Sequence, residues 1–312
     1  MHTSSTAPAS RSALLAAFAT LYLVWGSTYL AIRFGVDSIP PLALGAVRSL
    51  VGGALLYGWG RLHGTPGLSA REWRRSAVVG ALMFGVGHGA LFWAIVRVPS
   101  GVASLFIATI PLWMSLAEGL TDGLAAVQRR TMIGLVGGLG GIALLVGPNR
   151  LIDGDPVDPV GAVVLLAAAA AWAAGSAIAR RSHAASVVVS TGAYLLCGGV
   201  LLAGGALISG ELGAIDAGTI SVRSMLALAY LIVFGSILAL GAYYWLLRRT
   251  TLVALSTYAY VNPVVALALG WLLAGEALSP RIGIASGLIL VSVAAILSSR
   301  APAPATTPTS TR

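Results

Sequence analysis

Two stretches of the chain correspond to each other at a shift of 152 residues: WAIVRVPSGVASLFIATIP at Trp93–Pro111 and WLLRRTTLVALSTYAYVNP at Trp245–Pro263. Identical residues fall on each other in order and without a gap, namely Trp93 on Trp245, Arg97 on Arg249, Ser104 on Ser256 and Pro111 on Pro263. Ordered matches of this kind indicate an internal duplication. The chain is therefore predicted to contain two copies of one structural unit.

Further matches extend the duplication along the chain. A shift of 149 residues places Gly26-Ser27 on Gly175-Ser176, and a shift of 146 places Gly52-Gly53 on Gly198-Gly199. The small changes in shift are what insertions in the connecting loops would produce.

The composition places both copies in a membrane. Hydrophobic residues make up 57% of the 312 residues, charged residues make up only 9%, and the mean hydropathy is +0.90. Because soluble domains carry about 25% charged residues, this chain lacks the side chains for a soluble surface. The composition excludes an ordinary soluble enzyme and a disordered protein, and it leaves an integral membrane protein.

Ten apolar runs, each roughly 16–24 residues long, recur along the chain, and such a run crosses the hydrocarbon core as a helix. Continuous apolar runs differ from the alternating pattern of a membrane β-barrel. We therefore predict an all-α integral membrane fold with ten transmembrane helices. The predicted spans are Ala13–Ile32, Pro41–Gly60, Ser76–Val96, Gly101–Leu120, Thr131–Gly147, Val157–Ala179, Ser186–Ile208, Ser224–Leu247, Thr251–Ala274 and Ile282–Leu297.

Five helices per copy give the two repeats inverted topology, because an odd number makes the second copy enter the membrane from the opposite side. Residues 13–147 are assigned to repeat 1 and residues 157–299 to repeat 2, with 148–156 as an extracytoplasmic linker. Residues 1–12 and 300–312 are rich in small and hydroxyl-bearing residues and are predicted to be flexible tails.

The distribution of arginine predicts the orientation. All 19 basic residues are Arg, and with a cytoplasmic N-terminus 13 of them fall in cytoplasmic segments and 5 outside, with Arg48 alone inside a span. This asymmetry follows the positive-inside rule, so both termini are predicted to be cytoplasmic. The same rule accounts for the net charge of +9 without a nucleic-acid partner.

Three stretches resemble a known transporter family: LYLVWGSTYLAIR at Leu21–Arg33, PSGVASLFIATIPLW at Pro99–Trp113 and STYAYVNPVVA at Ser256–Ala266. They are similar to the drug/metabolite transporter superfamily, and within it to the ten-helix EamA-type exporters of the YedA-like group. Gly275-Glu276, after the ninth span, matches the same pattern. The resemblance implies two inverted five-helix repeats and efflux of small metabolites or amino-acid-like compounds across the bacterial inner membrane.

Polar side chains inside the spans are candidates for a transport site, because they are rare and costly there. His88 lies about twelve residues into its span, roughly 18 Å deep, and it either lines a cavity or hydrogen-bonds a neighbouring helix. Three roles are open for Arg48: it binds an anionic substrate group, it pairs with a carboxylate such as Glu276, or its long side chain reaches the outer interface. Glu118, near the cytoplasmic end of the fourth span, fits packing or pairing better than ion coupling.

Aromatic and small polar residues complete the predicted cavity, whose composition suits an amphipathic or aromatic solute. Any one of these aromatic residues could instead serve helix packing. Pro111 and Pro263 occupy equivalent places and are predicted to be paired hinges, the alternative being static kinks. The predicted cavity residues are Trp25, Ser27, Tyr29, Arg48, His88, Trp93, Trp172, Ser176, Tyr258 and Asn262.

The sequence thus predicts a secondary transporter that is not an enzyme and has no catalytic residue, cofactor or metal. The alternatives are a membrane-embedded lipid-modifying enzyme, which would favour clustered carboxylates or His at one face, and a channel, which would favour a charged ring or filter. The predicted partners are a small-molecule substrate and the lipid bilayer. Proton or exchange coupling, and a monomer or a homodimer, stay open.

Overall fold

The structure is a computed structural model that describes residues 10–95, 106–122, 129–146, 159–182, 186–216, 218–274 and 280–298. The predicted linker, most of the two predicted tails, Glu276 and the side chain of Tyr29 lie outside the described residues.

The described residues form helices and turns without a strand, so the all-α prediction is confirmed. Seven of these helices are long and apolar enough to span a membrane by length and composition. Within the described residues, the helical segments group into ten helices, five in each repeat: α1 (Arg11–Val36), α2 (Pro41–Leu62), α3 (Ala70–Gly80, Ala81–His88 and Gly89–Ile95), α4 (Ile110–Asp122), α5 (Arg129–Val146), α6 (Pro159–Arg180), α7 (Val187–Ile208), α8 (Val222–Tyr230, Leu231–Leu238 and Ala239–Leu247), α9 (Leu252–Ser256 and Tyr258–Ala274) and α10 (Pro280–Leu297).

Helix α3 begins six residues before the predicted start at Ser76. Ser69 and Glu72 form a capping box, in which the Ser69 hydroxyl accepts from the Glu72 N–H at 3.3 Å and the Glu72 carboxylate accepts from the Ser69 N–H at 2.7 Å. These bonds satisfy backbone N–H groups that a helix start leaves free. Hydropathy placed the start too late because the first turns of this helix are Arg-rich and polar.

The third helix of each repeat contains a π-helical stretch. Ala81–His88 in α3 and Leu231–Leu238 in α8 are both 8 residues long and lie midway along their helices. A π-helical turn frees backbone groups from their usual partners and is often found at functional sites. The duplication of the chain therefore extends to a local distortion of one helix.

The two repeats pack by exchanging equivalent helices. Helix α1 packs on α8 and α9 of repeat 2, and α6 packs on α3 and α4 of repeat 1. Helix α2 packs along α7, and α5 packs along α10. Each repeat therefore supplies its first helix to a bundle completed by the other repeat.

Glycines allow α2 and α7 to approach closely. A Cβ atom built at Gly53 would lie 2.9 Å from the Gly192 carbonyl oxygen, and one built at Gly192 would lie 2.6 Å from the Tyr57 backbone nitrogen. Small residues let membrane helices gain contact area at short separation. The contact between the second helices of the two repeats therefore depends on the absence of side chains at these positions.

Gly53→Ala is expected to destabilise the protein by about 1–3 kcal/mol, because the added methyl group meets backbone atoms that cannot move independently. The measurement is the thermal unfolding temperature of the purified protein in detergent. The matched control is Gly58→Ala on the same helix, where an added Cβ has no heavy atom within 4 Å. Equal unfolding temperatures for the two variants would contradict the proposed close contact.

Candidate functional site

A cavity of about 100 Å³ lies between the two repeats. Its walls combine aromatic and aliphatic side chains with a few polar ones. It is lined by Trp25, Thr28 and Ile32 of α1, Arg48 of α2, Gly87, His88, Leu91 and Phe92 of α3, Ile107 before α4, Ile110 of α4, Ala168 and Trp172 of α6, and Tyr258 and Asn262 of α9.

The aromatic wall is one connected cluster of rings. Trp25 lies edge-on to Trp172, with ring centroids 5.8 Å apart, and edge-on to Tyr258 at 4.8 Å. His88 stacks on Trp172 at 5.3 Å and 25°. These rings come from α1, α3, α6 and α9, so the wall is shared by both repeats. Such a surface suits the apolar or aromatic body of a solute.

Trp25 is held by the π-helical stretch of α8. Its indole Nε1 donates to the Gly235 carbonyl oxygen at 3.2 Å. One turn along α1, the Thr28 hydroxyl donates to the Trp25 carbonyl oxygen at 2.6 Å. The indole therefore stays at the cavity wall while its polar atom is satisfied, as is usual for buried indoles.

Three polar side chains reach the cavity from different helices. Arg48 is 6% exposed, and its Nε donates to the Ser236 hydroxyl of α8 at 2.8 Å. His88 presents an imidazole from the π-helical stretch of α3. Asn262 is 4% exposed, and its Oδ1 accepts no hydrogen bond from any residue that the structure describes. A buried unpaired acceptor is unusual, and a ligand donor would satisfy it.

Ser27 and Ser176, the equivalent serines of the two repeats, do not line the cavity. The Ser27 hydroxyl donates to the Val24 carbonyl oxygen at 2.8 Å and lies 2.6 Å from the Tyr230 hydroxyl. Ser176 donates to the Trp172 carbonyl oxygen at 2.7 Å and lies 2.6 Å from the Tyr243 hydroxyl. Both serines thus connect a first helix to a tyrosine of α8.

Trp93 is also placed away from the cavity lining. It is half-buried near the end of α3 and packs on a small cluster around Ala94 and Leu165. The structure therefore brings together Trp25, Arg48, His88, Trp172, Tyr258 and Asn262 from the predicted set.

The two prolines occupy different places in their helices. Pro263 lies inside the Tyr258–Ala274 segment of α9. Pro111 lies in the first turn of α4, where backbone N–H groups lack intrahelical partners in any helix. Pro263 therefore removes a helical hydrogen bond, whereas Pro111 does not. Their role as hinges stays a prediction.

Eight of the cavity-lining residues were missed by the sequence prediction, and four of them follow from helical spacing. Thr28 and Ile32 are three and seven residues after Trp25, and Leu91 and Phe92 are three and four residues after His88. Residues at these intervals share one face of a helix. Once one cavity residue on a helix is known, this spacing identifies the other residues on the same face.

The side of the molecule on which α1 begins, called here the terminal side, is packed closed. The Tyr22 hydroxyl lies 2.6 Å from the Thr257 hydroxyl, and the Tyr244 hydroxyl lies 3.1 Å from the Met83 sulfur. Closer to this surface, Glu118 of α4 accepts from Arg180 Nη1 at 2.7 Å and from the Leu252 backbone N–H at 3.2 Å.

The cavity instead extends toward the opposite side. Ile32 lies near the end of α1, Leu91 and Phe92 lie near the end of α3, and Ile107 and Ile110 lie at the start of α4. Helices that alternate in direction place these positions on the side away from the start of α1. The structure therefore combines a closed terminal side with a cavity that reaches from mid-depth toward the other side.

Comparison with known proteins identifies relatives over nearly the whole chain. The EamA-like transporter family matches residues 11–147 and 159–298. The chain is 36% identical over 282 residues to a protein of Escherichia coli named as an uncharacterized inner membrane transporter, YedA, covering 90% of this chain and 89% of that one. It is 28% identical over 285 residues to Protein PecM of Dickeya dadantii, covering 89% and 91% of the two chains.

A crystal structure of another protein has the same fold. It matches with a TM-score of 0.76 at 23% sequence identity, and the match covers 92% of this chain and 96% of that chain.

The one-sided cavity predicts one-sided chemical labelling. The chain has a single cysteine, so Cys197→Ser gives a cysteine-free background. In that background, Leu91→Cys in the cavity wall should react with a membrane-impermeant maleimide applied to the side opposite the terminal side. Leu255→Cys, at a fully buried position near the terminal side, should react much more slowly from either side. Similar labelling rates at both positions would contradict this geometry.

Proposed function

The chain belongs to the EamA-like transporter family, and from this premise we propose that it is a secondary transporter that exports small metabolites, amino-acid-like or amphipathic solutes by alternating access. The cavity between the repeats is the proposed substrate site. Family membership favours a transporter over the membrane-embedded enzyme or channel.

The observation that carries the proposal is the shared construction of the cavity. Four helices of repeat 1 and two helices of repeat 2 contribute to its wall. Transporters with inverted repeats bind substrate at the repeat interface near the membrane midplane, where rocking of one half exposes the site to each side in turn. Aromatic rings would hold the apolar part of a solute, while Arg48, His88 and Asn262 would bind its polar groups.

The contacts on the terminal side are the ones that alternating access would break. Glu118 connects α4 of repeat 1 to α6 and α9 of repeat 2, and the contact of Tyr22 with Thr257 connects α1 to α9. The break between the two segments of α9, and Pro263 within the second segment, would supply local flexibility. In this proposal Pro263, together with Pro111, serves as a hinge.

We assign the protein to the bacterial inner membrane because a relative with 36% identity is named an inner membrane transporter. The arginine distribution supports cytoplasmic termini, so the cavity of this structure would face outward. Among the described residues, no carboxylate lines the cavity, which supports uniport or solute exchange over a carboxylate proton relay.

The proposal is tested by solute flux in proteoliposomes that contain the purified full-length protein. The panel should include aromatic and aliphatic amino acids and organic acids, each with and without a proton gradient. Protein-dependent flux of at least one solute is expected. Absence of flux for every solute, together with turnover of a membrane lipid, would overturn the transporter assignment.

His88→Ala is expected to change the apparent affinity for transported solutes by up to about tenfold without loss of membrane insertion. The reason is the loss of a stacked ring from the cavity wall, since an aromatic pair contributes ~0.5–1.5 kcal/mol. The matched control is His63→Ala, because His63 is exposed and stacks on Trp59 outside the cavity. Unchanged transport kinetics in His88→Ala would remove His88 from the site.

Glu118→Gln is expected to favour opening of the terminal side, because it removes the ion pair with Arg180 but leaves an oxygen to accept from Leu252. A partly exposed ion pair stabilises the closed state by ~1 kcal/mol or less. The labelling rate of Leu255→Cys from the terminal side should therefore increase by a few fold. Glu72→Gln, in the exposed cap of α3, is the control. A labelling rate that does not change in Glu118→Gln would count against this contact as a closure.

A further inference from the structure

Arg48 is a charged side chain held in a fixed position inside the membrane region. Its Nε donates to the Ser236 hydroxyl at 2.8 Å, and a Cβ atom added at Gly235 would lie 3.1 Å from its Nη2 atom. The guanidinium therefore rests on the π-helical stretch of α8, where glycine leaves room for it. One edge of the group is occupied by Ser236, and the side chain lines the cavity.

The charge of Arg48 has no counter-charge in the part of the chain that the structure describes. The Arg48 side chain forms no ion pair with any described residue, and its only hydrogen bond to one of them is to Ser236. A guanidinium stays charged in proteins, and a buried charge is costly unless it is paired. An anion that entered the cavity would relieve this cost, so the site favours an anionic ligand.

We propose that Arg48 binds a carboxylate group of the transported solute through its Nη atoms, and that Ser236 is the positioning residue that orients the guanidinium. The planar guanidinium presents parallel N–H donors that match the two oxygens of a carboxylate. This inference rests on the proposed transport function and specifies its substrate class as carboxylates with an apolar body.

The surroundings of Arg48 support that substrate class. The rings of Trp25, Trp172 and Phe92 line the same cavity and offer apolar surface for the remainder of the solute. The unpaired Oδ1 of Asn262 offers an acceptor for a donor on the same molecule. The anionic group would then bind on the cavity side of the Arg48 guanidinium, with the apolar body toward α1, α3 and α6.

The position of Ser236 connects the anion subsite to the aromatic wall. Ser236 bonds Arg48, and the neighbouring Gly235 carbonyl oxygen accepts from Trp25 Nε1 at 3.2 Å. Two successive residues of one π-helical stretch, Gly235 and Ser236, therefore position both the Trp25 ring and the Arg48 guanidinium. Loss of the Ser236 hydroxyl should loosen the guanidinium without removing its charge.

The test compares acids with their carboxamides, which have nearly the same size and shape but lack the carboxylate charge. The unfolding temperature of the full-length protein in detergent is measured with 3-phenylpropionate, L-phenylalanine and L-leucine, and with the carboxamide of each. Stabilisation by carboxylates and not by the amides is expected. Equal stabilisation by acid and amide, or no stabilisation by any carboxylate at millimolar concentration, would overturn the proposal.

Variants then assign the preference to named residues. Arg48→Gln should weaken carboxylate binding by about tenfold or more and leave amide binding unchanged, Arg48→Lys should restore part of the preference, and Ser236→Ala should weaken carboxylate binding by a smaller factor. Arg223→Gln is the control, because Arg223 is exposed and covers Phe34 outside the cavity. Retention of the full carboxylate preference in Arg48→Gln would overturn the proposal.

Two further results keep the test decisive. Should Arg48→Gln fail to fold, Ser236→Ala keeps the charge, and unchanged carboxylate affinity in that variant would overturn the positioning role. Flux in proteoliposomes separates this inference from the proposed function. Flux without a carboxylate preference would reject only the inference, whereas carboxylate binding without any flux would reject the transport function.

Discussion

The hydrocarbon core of a membrane offers no hydrogen-bond partner to the backbone, and most of this structure follows from that constraint. Regular helices satisfy their own backbone groups, and each irregular segment described within a span buries one of its faces in the protein interior. In α8 the Gly235 carbonyl oxygen accepts from Trp25, and at the break in α9 the Thr257 hydroxyl lies within hydrogen-bond distance of Tyr22. In α8, the distorted backbone therefore positions a side chain of the candidate site.

The exchange of helices between the repeats explains why the cavity lies where it does. Because α1 packs on α8 and α9 while α6 packs on α3 and α4, neither repeat encloses a solute-sized space alone. The close contact of α2 with α7 through Gly53 and Gly192 holds the repeats together beside the cavity. A change in the angle between the repeats would alter the cavity and the contacts of the terminal side together.

Much of the fold was predictable because hydropathy and charge act along the chain. Each predicted span overlaps a helix of the structure, and the duplication predicted the five-plus-five arrangement. The site was predictable only in part. Trp25 and Ser27 are two residues apart, yet only Trp25 lines the cavity, because successive helical residues point about 100° apart. Sequence indicates the depth of a residue in the membrane but not the direction in which its helix faces.

The sequence by itself determined a membrane protein, the number of its helices and their division into two repeats, because burial in lipid selects residues by hydropathy and loops retain the charges. Only the tertiary structure decided which polar residues meet. The bond between Arg48 and Ser236 joins residues 188 positions apart, and no local pattern connects α2 with α8. The rotation of each helix is selected by packing against partners distant in the chain, so the cavity is a property of the assembled repeats.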